Sequence, residues 1–181
     1  MHVARVAVLG CGPIGLLIAR VAQLGGAGLI CATEPLAHRR VAAKSFGVTA
    51  ALDPSGNDVA RQIMDLTDGE GIDVAFEAAG SEAATVQAVQ VVRPGGTLVL
   101  VGYWDADRLT LPGITAMRKG RTLRFVRRMQ NTFPRAIELC RQRLVNFPAL
   151  ISREVALSNE SEAFARTDCR SPKVIQAVVT L

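Results

Sequence analysis

The segment at residues 10–15, Gly-Cys-Gly-Pro-Ile-Gly, constrains the fold of this chain more than any other feature. It fits the pattern G-x-G-x-x-G and follows a Val-rich run at residues 5–9. After it, apolar residues recur every three or four positions as far as Leu24, which predicts an amphipathic helix. A strand, a glycine-rich turn and a helix in this order predict a site for the diphosphate of a dinucleotide. The alternative is a glycine-rich turn that binds no ligand.

Each of the three glycines in this turn has a separate physical role. Gly10 permits the tight turn, Gly12 lets the backbone approach a pyrophosphate, and Gly15 lets the helix pack closely on the strand. Pro13 suits the first helical turn, where its missing N–H costs nothing. The amides and the positive dipole end of this helix would then face the phosphates.

Glu34 lies 19 positions past Gly15, at the end of the second predicted strand. A carboxylate at this place accepts hydrogen bonds from the adenine ribose hydroxyls and repels a 2′-phosphate, which favours NAD. His38, Arg39 and Arg40 follow closely and keep NADP open as the alternative, because they could pair with a 2′-phosphate. We expect Arg39 to lie over the adenosine.

Short apolar runs alternate with helical patterns along the chain. This rhythm predicts an α/β Rossmann fold, a doubly wound parallel sheet with helices on both faces, in a single domain over residues 1–181. About six strands are predicted, at residues 5–9, 29–33, 48–52, 72–76, 97–101 and 122–126. Ser81 is predicted to cap a helix that runs to about Val92, and Pro94-Gly95-Gly96 is predicted to turn the chain.

The pattern is weaker in the second half. Residues 105–120 show the least regular pattern. Beyond them we predict a helix over residues 132–143 capped by Asn131, a capped helix after Ser158, and a last strand near residues 174–179.

Composition excludes several classes of protein. Hydrophobic residues make up 49% of the 181 residues, which suits a globular chain with a sizeable core. No run approaches the ~20 apolar residues of a membrane span, and residues 1–6 lack the features of a secretory signal, so a cytoplasmic location is expected. The four cysteines, Cys11, Cys31, Cys140 and Cys169, are far apart and are expected to be buried thiols. With His2 and His38 they show no metal-ligand spacing.

Positive charge is concentrated in one stretch. Nine basic residues and a single acid, Glu138, lie between Arg118 and Arg143, in a chain of formal net charge +5. Such a stretch can bind nucleic acid, but few aromatic residues are interleaved with it. A solvated face, or a contact with a cofactor or partner, is the preferred interpretation, and nucleic-acid binding is an alternative.

Several motifs together resemble one family. Residues 8–17, Glu34 followed by Arg39, the segment Phe-Glu-Ala-Ala-Gly at 76–80 and the segment Arg-Pro-Gly-Gly-Thr-Leu at 93–98 resemble the cofactor domain of the medium-chain, zinc-type alcohol dehydrogenases. Residues 128–134 with Ala136-Ile137 resemble the sorbitol (polyol) dehydrogenase branch. The resemblance covers essentially the whole chain.

This resemblance implies which residues bind the cofactor. Ile14, Glu34 and Arg39 would hold the adenosine half of NAD. Val101, Gly102 and Tyr103 would line the nicotinamide side, and Val126, Arg127 and Arg128 would lie near the nicotinamide and the substrate. Ala79 is a further implied cofactor-binding residue. The resemblance also implies a homodimer formed by paired sheet edges near residues 97–111.

The chain departs from the family at several places. Met129 stands where the sorbitol enzymes usually have a tyrosine that touches the polyol, and Gln176 stands where the family often has Lys or Arg. The family's N-terminal domain, which supplies the catalytic zinc ligands, has no counterpart in these residues. We therefore name no catalytic residue and no metal ligand, and we expect the isolated chain to be inactive.

Three functions remain open at this point. The first is the NAD-binding domain of a zinc-dependent alcohol or polyol dehydrogenase, in which hydride passes between NAD and a secondary alcohol. The second is a stand-alone NAD(H)-binding module without catalysis. The third is a protein that binds nucleic acid or a partner through the basic stretch from Arg118 to Arg143.

Overall fold

The computed structural model describes residues 3–104, 108–127, 131–159, 161 and 174–180. The chain forms two compact units, residues 1–128 and residues 129–181. The prediction of a single domain over residues 1–181 stays a prediction, because two compact units can belong to one domain.

The first unit is built on a six-stranded parallel sheet of order β3-β2-β1-β4-β5-β6. The chain winds outward from β1 to β3 and then returns to place β4 on the other side of β1, which makes the sheet doubly wound, as predicted. The strands are β1 (Arg5–Leu9), β2 (Leu29–Thr33), β3 (Ala50–Leu52), β4 (Ile72–Glu77), β5 (Val92–Leu100) and β6 (Thr122–Phe125).

Helices cover this sheet in two groups, which confirms the predicted α/β architecture. Helices α1 and α2 pack on β1, β2 and β3, whereas α4 packs on β1, β4 and β5 and contacts α3 and α5. The two halves of the sheet wind in opposite directions, and right-handed crossovers therefore put the two groups on opposite faces. The helices are α1 (Pro13–Leu24), α2 (Ala37–Ala43) with a 3₁₀ turn at Lys44–Phe46, α3 (Val59–Asp65), α4 (Glu82–Val91) and α5 (Gly113–Arg118).

The core forms where the central strands are covered by α4. Ala7, Ala75 and Leu98 lie side by side on β1, β4 and β5, and all three are buried against Ala88 and Val89 of α4. Strand β1 is buried over its last four residues, so both of its faces are covered. That burial explains why its sequence is continuously apolar rather than alternating.

Two side chains cap helices of this core. The hydroxyl of Ser81 accepts a hydrogen bond from the Ala84 amide at 3.2 Å, which confirms the predicted cap of α4. Asp58 caps α3 in the same way through the Arg61 amide, at 3.0 Å. Such caps satisfy amides that have no partner within the helix.

Two boundaries differ from the sequence prediction. Strand β5 begins at Val92 rather than Thr97, because the predicted turn lies within the strand as an irregularity: Val92 pairs with Ile72, but Thr97 pairs with Val74. Helix α5 lies in the segment that showed the least regular pattern. It is only six residues long and has no buried residue, so it carries no periodic apolar signal.

The second unit contains helix α6 (Phe133–Arg141), strand β7 (Ile151–Ala156), a 3₁₀ turn at Leu157–Asn159 and strand β8 (Gln176–Thr180). Strands β7 and β8 pair in parallel. The predicted cap at Asn131 is wrong: Thr132 precedes α6, and Asn131 is left-handed, with a φ of 55°. The helix predicted after Ser158 lies mostly outside the described residues. Strand β7 was not predicted, because it is largely exposed and polar at its centre.

Among the residues that the structure describes, no helix has both the length and the apolar character needed to cross a bilayer.

The packing of α1 on β1 gives the first prediction. A Cβ added at Gly15 would lie 1.8 Å from the Gly10 carbonyl oxygen. Since that oxygen belongs to the backbone, the helix itself must shift, and we expect Gly15→Ala to lower the free energy of unfolding by about 3 kcal/mol. Urea unfolding followed by circular dichroism measures the change.

Gly113→Ala is the matched control. A Cβ at Gly113, the first residue of α5, would meet no atom of the described residues within 4 Å outside its own helix and its two chain neighbours. This variant should be neutral or stabilised by up to ~1 kcal/mol, because alanine restricts the unfolded chain. Equal unfolding free energies for the two variants would contradict the packing described for α1.

Candidate functional site

The carboxyl ends of all six strands lie along one edge of the sheet. The loops after β1, β2, β4, β5 and β6 each begin with an amide that donates to the last carbonyl of a neighbouring strand, at distances between 2.8 and 3.1 Å. The donors are the amides of Gly10, Glu34, Ala78, Val101, Gly102 and Val126. Most of the sequence-predicted site residues belong to these loops, so the fold brings them to a single edge. In open α/β sheets this edge is where ligands bind.

The loops after β1 and β4 meet where the strand order reverses. Gly10 has a φ of +104°, which a residue with a side chain rarely adopts. A Cβ at Gly10 would also lie 3.0 Å from the Ala79 nitrogen and 3.1 Å from the Ala78 carbonyl. The two loops therefore approach closely only because this position carries no side chain.

The amino end of α1 opens into this crevice. Gly12 is the N-cap, no side chain caps the helix, and Pro13 occupies the first turn. A Cβ at Gly12 would meet a single neighbour, Nη1 of Arg39, at 3.9 Å. Backbone amides without a side-chain acceptor, beside a guanidinium group, fit an anion such as a phosphate.

Ile14 lies on the exposed side of the first helical turn, with 55% of its surface accessible. It lines an apolar cavity of about 340 Å³ that is formed by one side of α1 and by Phe76 of β4. The other lining residues are Leu17, Ile18, Val21, Ala22 and Phe76. The predicted contact residue Ile14 is thus accessible beside the glycine loop, on an apolar surface.

Glu34 follows the last residue of β2, and its carboxylate is held by two backbone amides. Oε2 accepts from the Cys11 amide at 2.9 Å, and Oε1 accepts from the Leu36 amide at 3.0 Å. The residue is 4% exposed. Because a carboxylate has about four acceptor sites, these two bonds fix the group in place without using all of its capacity.

The guanidinium group of Arg40 is bonded to groups in the loops after β2 and β3. Its Nη1 donates to the carbonyls of Glu34 and Pro35, both at 2.7 Å, and its Nη2 lies 2.9 Å from the Asp53 carboxylate. Hydrogen bonds from Ser55 lower the pKa of Asp53, and the nearby Arg40 lowers it further. Arg40 therefore has an ionised partner, while Arg39 lies next to the glycine loop.

The loops after β4 and β5 form the other wall. Ala79 is exposed, and its amide donates to the Glu77 carboxyl group at 2.8 Å. The loop after β5 holds Val101, Gly102 and Tyr103, and Tyr103 is 88% exposed. Gly80 touches this loop, because a Cβ there would lie 2.1 Å from the Tyr103 carbonyl oxygen.

The remaining predicted residues follow β6. Val126 is half exposed and its amide bonds the Leu100 carbonyl, so it lies at the same edge, and Arg127 is exposed next to it. Arg128 and Met129 lie outside the described residues. Gln176 is the exposed first residue of β8, in the second unit.

The cysteines only partly match the prediction of buried thiols. Cys11 and Cys31 are buried, but Cys140 is exposed on α6, and Cys169 lies outside the described residues. Within the part of the chain that the structure describes, no three His, Cys, Asp or Glu residues are grouped as metal ligands. The described residues therefore do not fit a zinc ion.

Comparison with known proteins identifies the family. The profile of a family described as zinc-binding dehydrogenase matches residues 13–142. This chain belongs to the zinc-binding dehydrogenase family. The match includes the glycine-loop helix, Glu34, the loops after β4 and β5, and α6.

Individual members of the family agree with this assignment. Sorbitol dehydrogenase from Bacillus subtilis is 31% identical over 163 residues, which are 90% of this chain and 46% of that protein. The structure of 2R,3R-butanediol dehydrogenase from Bacillus subtilis has a TM-score of 0.88 and 28% identity, with coverage of 99% of this chain and 51% of that one. A Sinorhizobium meliloti protein, described as a zinc-binding dehydrogenase and bound to NADP, has a TM-score of 0.89 and 25% identity; the coverage is 99% and 53%. The chain thus spans about half the length of these relatives.

One functional candidate was missed by the sequence analysis. Glu77 belongs to the family-like segment at residues 76–80, but the sequence assigns no role to its side chain. In the structure this side chain is wholly buried between the loops after β4 and β5. An acid that directly follows the apolar run Val74-Ala75-Phe76, at the end of a predicted strand, is the signal that could have revealed it.

The buried thiols give the second prediction. Burial raises the pKa of Cys11 to about 12, and the nearby Glu34 carboxylate acts in the same direction. Burial raises the pKa of Cys31 to about 11. Because the thiolate is the reactive form, iodoacetamide at pH 8 should modify exposed Cys140 and leave Cys11 and Cys31 intact. Peptide mass spectrometry measures this, and modification of Cys11 as fast as Cys140 would contradict the site geometry.

Proposed function

We propose that this chain is the NAD-binding domain of a zinc-dependent alcohol or polyol dehydrogenase. One observation carries the proposal: an uncapped helix begins at a glycine loop at the switch point of a doubly wound sheet, beside an anchored carboxylate, Glu34. Membership of the zinc-binding dehydrogenase family supports it.

The adenosine half of the cofactor would lie over the carboxyl ends of β1 and β2. The amides at the start of α1 would bind the diphosphate, and Arg39 would lie beside it and over the adenosine. Glu34 would accept hydrogen bonds from the ribose hydroxyls with its remaining lone pairs. The residues proposed for this half are Gly10, Gly12, Pro13, Ile14, Gly15, Glu34 and Arg39.

The preference for NAD rests on two charged groups. Glu34 places a negative charge where the 2′-phosphate of NADP would lie. Arg40, one of the three basic residues that could pair with this phosphate, is bonded to the carbonyls of Glu34 and Pro35 and to Asp53. We therefore infer NAD, although a relative from Sinorhizobium meliloti binds NADP.

The nicotinamide half would lie over β4, β5 and β6. A bound nicotinamide supplies the hydride acceptor or donor, and the role of this chain is to hold and orient it. The residues proposed for this half are Ala79, Val101, Gly102, Tyr103, Val126, Arg127 and Arg128. We propose that the groups that polarise the alcohol, including the zinc ligands, lie outside these 181 residues, so that these residues alone do not catalyse the reaction.

The basic stretch from Arg118 to Arg143 offers less support for nucleic-acid binding. It is divided between the two compact units. Within it, the Arg121 guanidinium group donates to the carbonyls of Val92 and Thr115, which is a structural use of the charge. Cofactor binding is therefore the function that the described residues support best.

We further propose a cytoplasmic homodimer. The expected pairing segment, residues 97–111, begins in β5, and β5 is bonded on both sides by β4 and β6. The edge strand next to β5 is β6, on which Phe125 is 73% exposed and Leu123 is 39% exposed. We therefore propose that two copies of the chain pair through their β6 strands rather than through residues 97–111. Analytical ultracentrifugation distinguishes a dimer from a monomer.

Glu34→Ser tests the proposed function. Removing the carboxylate removes a partner of the ribose hydroxyls and a repulsive charge, so the ratio of NADH to NADPH affinity should fall about tenfold or more. Fluorescence titration of the wild-type chain and the variant with both reduced cofactors measures the two dissociation constants.

Glu70→Ser provides the control. Glu70 is an exposed acid just before β4, at the amino end of that strand and therefore at the opposite end from the proposed site. This variant should leave the affinity ratio unchanged. An unaltered ratio in Glu34→Ser would show that Glu34 does not select the cofactor. Absence of NADH binding by the wild-type chain would overturn the proposed function itself.

A further inference from the structure

A carboxyl group with no accessible surface lies at the switch point of the sheet. Glu77, the last residue of β4, is 0% exposed. Its neighbours in register are Leu9 on β1 and Leu100 on β5, and both are buried in the apolar core. Burying a carboxyl group among apolar side chains is costly, so its position calls for a function.

The side chain of Glu77 holds the loop that follows β4. Oε1 accepts hydrogen bonds from the amides of Ala79 at 2.8 Å and Gly80 at 2.7 Å, with the Ser81 amide at 3.5 Å. One oxygen atom thereby fixes the direction of three successive peptide groups. Ser81 in turn caps α4, so the carboxyl group also sets where that helix begins.

The same residue holds the loop that follows β5. Its main-chain carbonyl accepts from the amides of Val101 and Gly102, both at 2.9 Å. Its Oε2 lies against Gly102, since a Cβ there would come within 2.5 Å of this oxygen. Only a glycine fits between the carboxyl group and the Gly80 backbone at this point.

The second carboxyl oxygen has capacity to spare. Within the described part of the chain, the buried Oε2 accepts no well-formed hydrogen bond, although the Gly102 amide lies near enough to lower the pKa of Glu77. Burial raises the pKa of Glu77, while the surrounding backbone amides, that of Ala79 first, act in the opposite direction. A buried polar atom that is left unsatisfied is rare in a native fold and marks a place where structure is maintained for a purpose.

We propose that Glu77 is a positioning residue for the nicotinamide half of the cofactor, acting by locking the loops at residues 78–81 and 101–103 into one wall of the crevice. This inference rests on the proposed function, in which Ala79, Val101, Gly102 and Tyr103 line that half. Glu77 does not touch the cofactor. It determines the distance between the two loops that do.

Two probes separate positioning from general stability. NADH spans the whole crevice, whereas ADP-ribose lacks the nicotinamide and depends on the half of the site around Glu34. The test is therefore the ratio of the two dissociation constants, measured for each folded variant by calorimetry. A residue that only stabilises the fold would change both constants together and leave the ratio unchanged.

Glu77→Ala removes the acceptor for all three amides and should raise the NADH dissociation constant about tenfold, with that of ADP-ribose changed less than about twofold. Glu77→Gln retains one acceptor oxygen and should recover much of the lost affinity. We expect the NADH dissociation constant to rise about threefold and that of ADP-ribose to stay unchanged. If Glu77→Ala does not fold, Glu77→Gln decides the outcome.

Asp73→Asn is the matched control. Asp73 is a buried acid on the same strand, but it lies at the amino end, where it binds the Arg5 amide and the Arg93 guanidinium group. Its replacement should lower stability and leave the ratio at the wild-type value. A wild-type ratio in Glu77→Gln, or an equal change in Asp73→Asn, would overturn the positioning role. Failure of the wild-type chain to bind either probe would instead overturn the proposed function.

Discussion

The close contact between α1 and β1 is the constraint on which the rest of the structure depends. The Gly15 backbone packs so near the Gly10 carbonyl that no side chain fits between them. That contact starts the helix directly above the end of β1 and points its first amides at the crevice where the strand order reverses. If the helix began one turn later, the glycine loop, Glu34 and the loop after β4 would no longer face a common space.

Two buried carboxyl groups give this crevice its shape. Glu34 is bonded to the amides of Cys11 and Leu36, and it ties the glycine loop to the end of β2. Glu77 is bonded to the amides after β4, and its carbonyl anchors the loop after β5. Glu34 follows β2 and Glu77 ends β4, and the carboxyl groups of both accept hydrogen bonds from backbone amides. Hydrogen bonds from backbone amides to a carboxyl group are strong and short, so loops held this way are rigid.

Much of this arrangement could be predicted from the sequence. Short, continuous apolar runs and the 3.6-residue helical period are strong in the first hundred residues, where the central strands are buried, and the fold prediction there is confirmed. The sequence also places Glu34 at the end of the second strand, and in the structure this residue directly follows β2, with its carboxylate bonded to the Cys11 amide. Its role in cofactor binding stays a prediction. Periodicity failed for α5 and β7, because both are exposed and carry no apolar stripe.

The role of Glu77 in holding the loops after β4 and β5 could not be predicted in the same way. Its partners are the backbone amides of Ala79, Gly80, Ser81 and Gly102. Nearly every residue type has such an amide, so the sequence does not show which amides bind Glu77. Nor could the sequence indicate that Arg40 is bonded to Asp53 and to two carbonyls, because the partners come together only when β3 docks beside β2. Contacts made across the sheet require the topology before they can be inferred.

The central claim is that the edge of the sheet at the switch point binds a nicotinamide dinucleotide. Amide chemical shifts of the ¹⁵N-labelled chain, recorded during a titration with NADH, test it most directly. If NADH binds at this edge, saturable shifts are expected at Gly12 and Gly15 on one side of the crevice and at Gly80 and Gly102 on the other, with little change in β7. Shifts absent from these glycines, or confined to residues of α6, would contradict it.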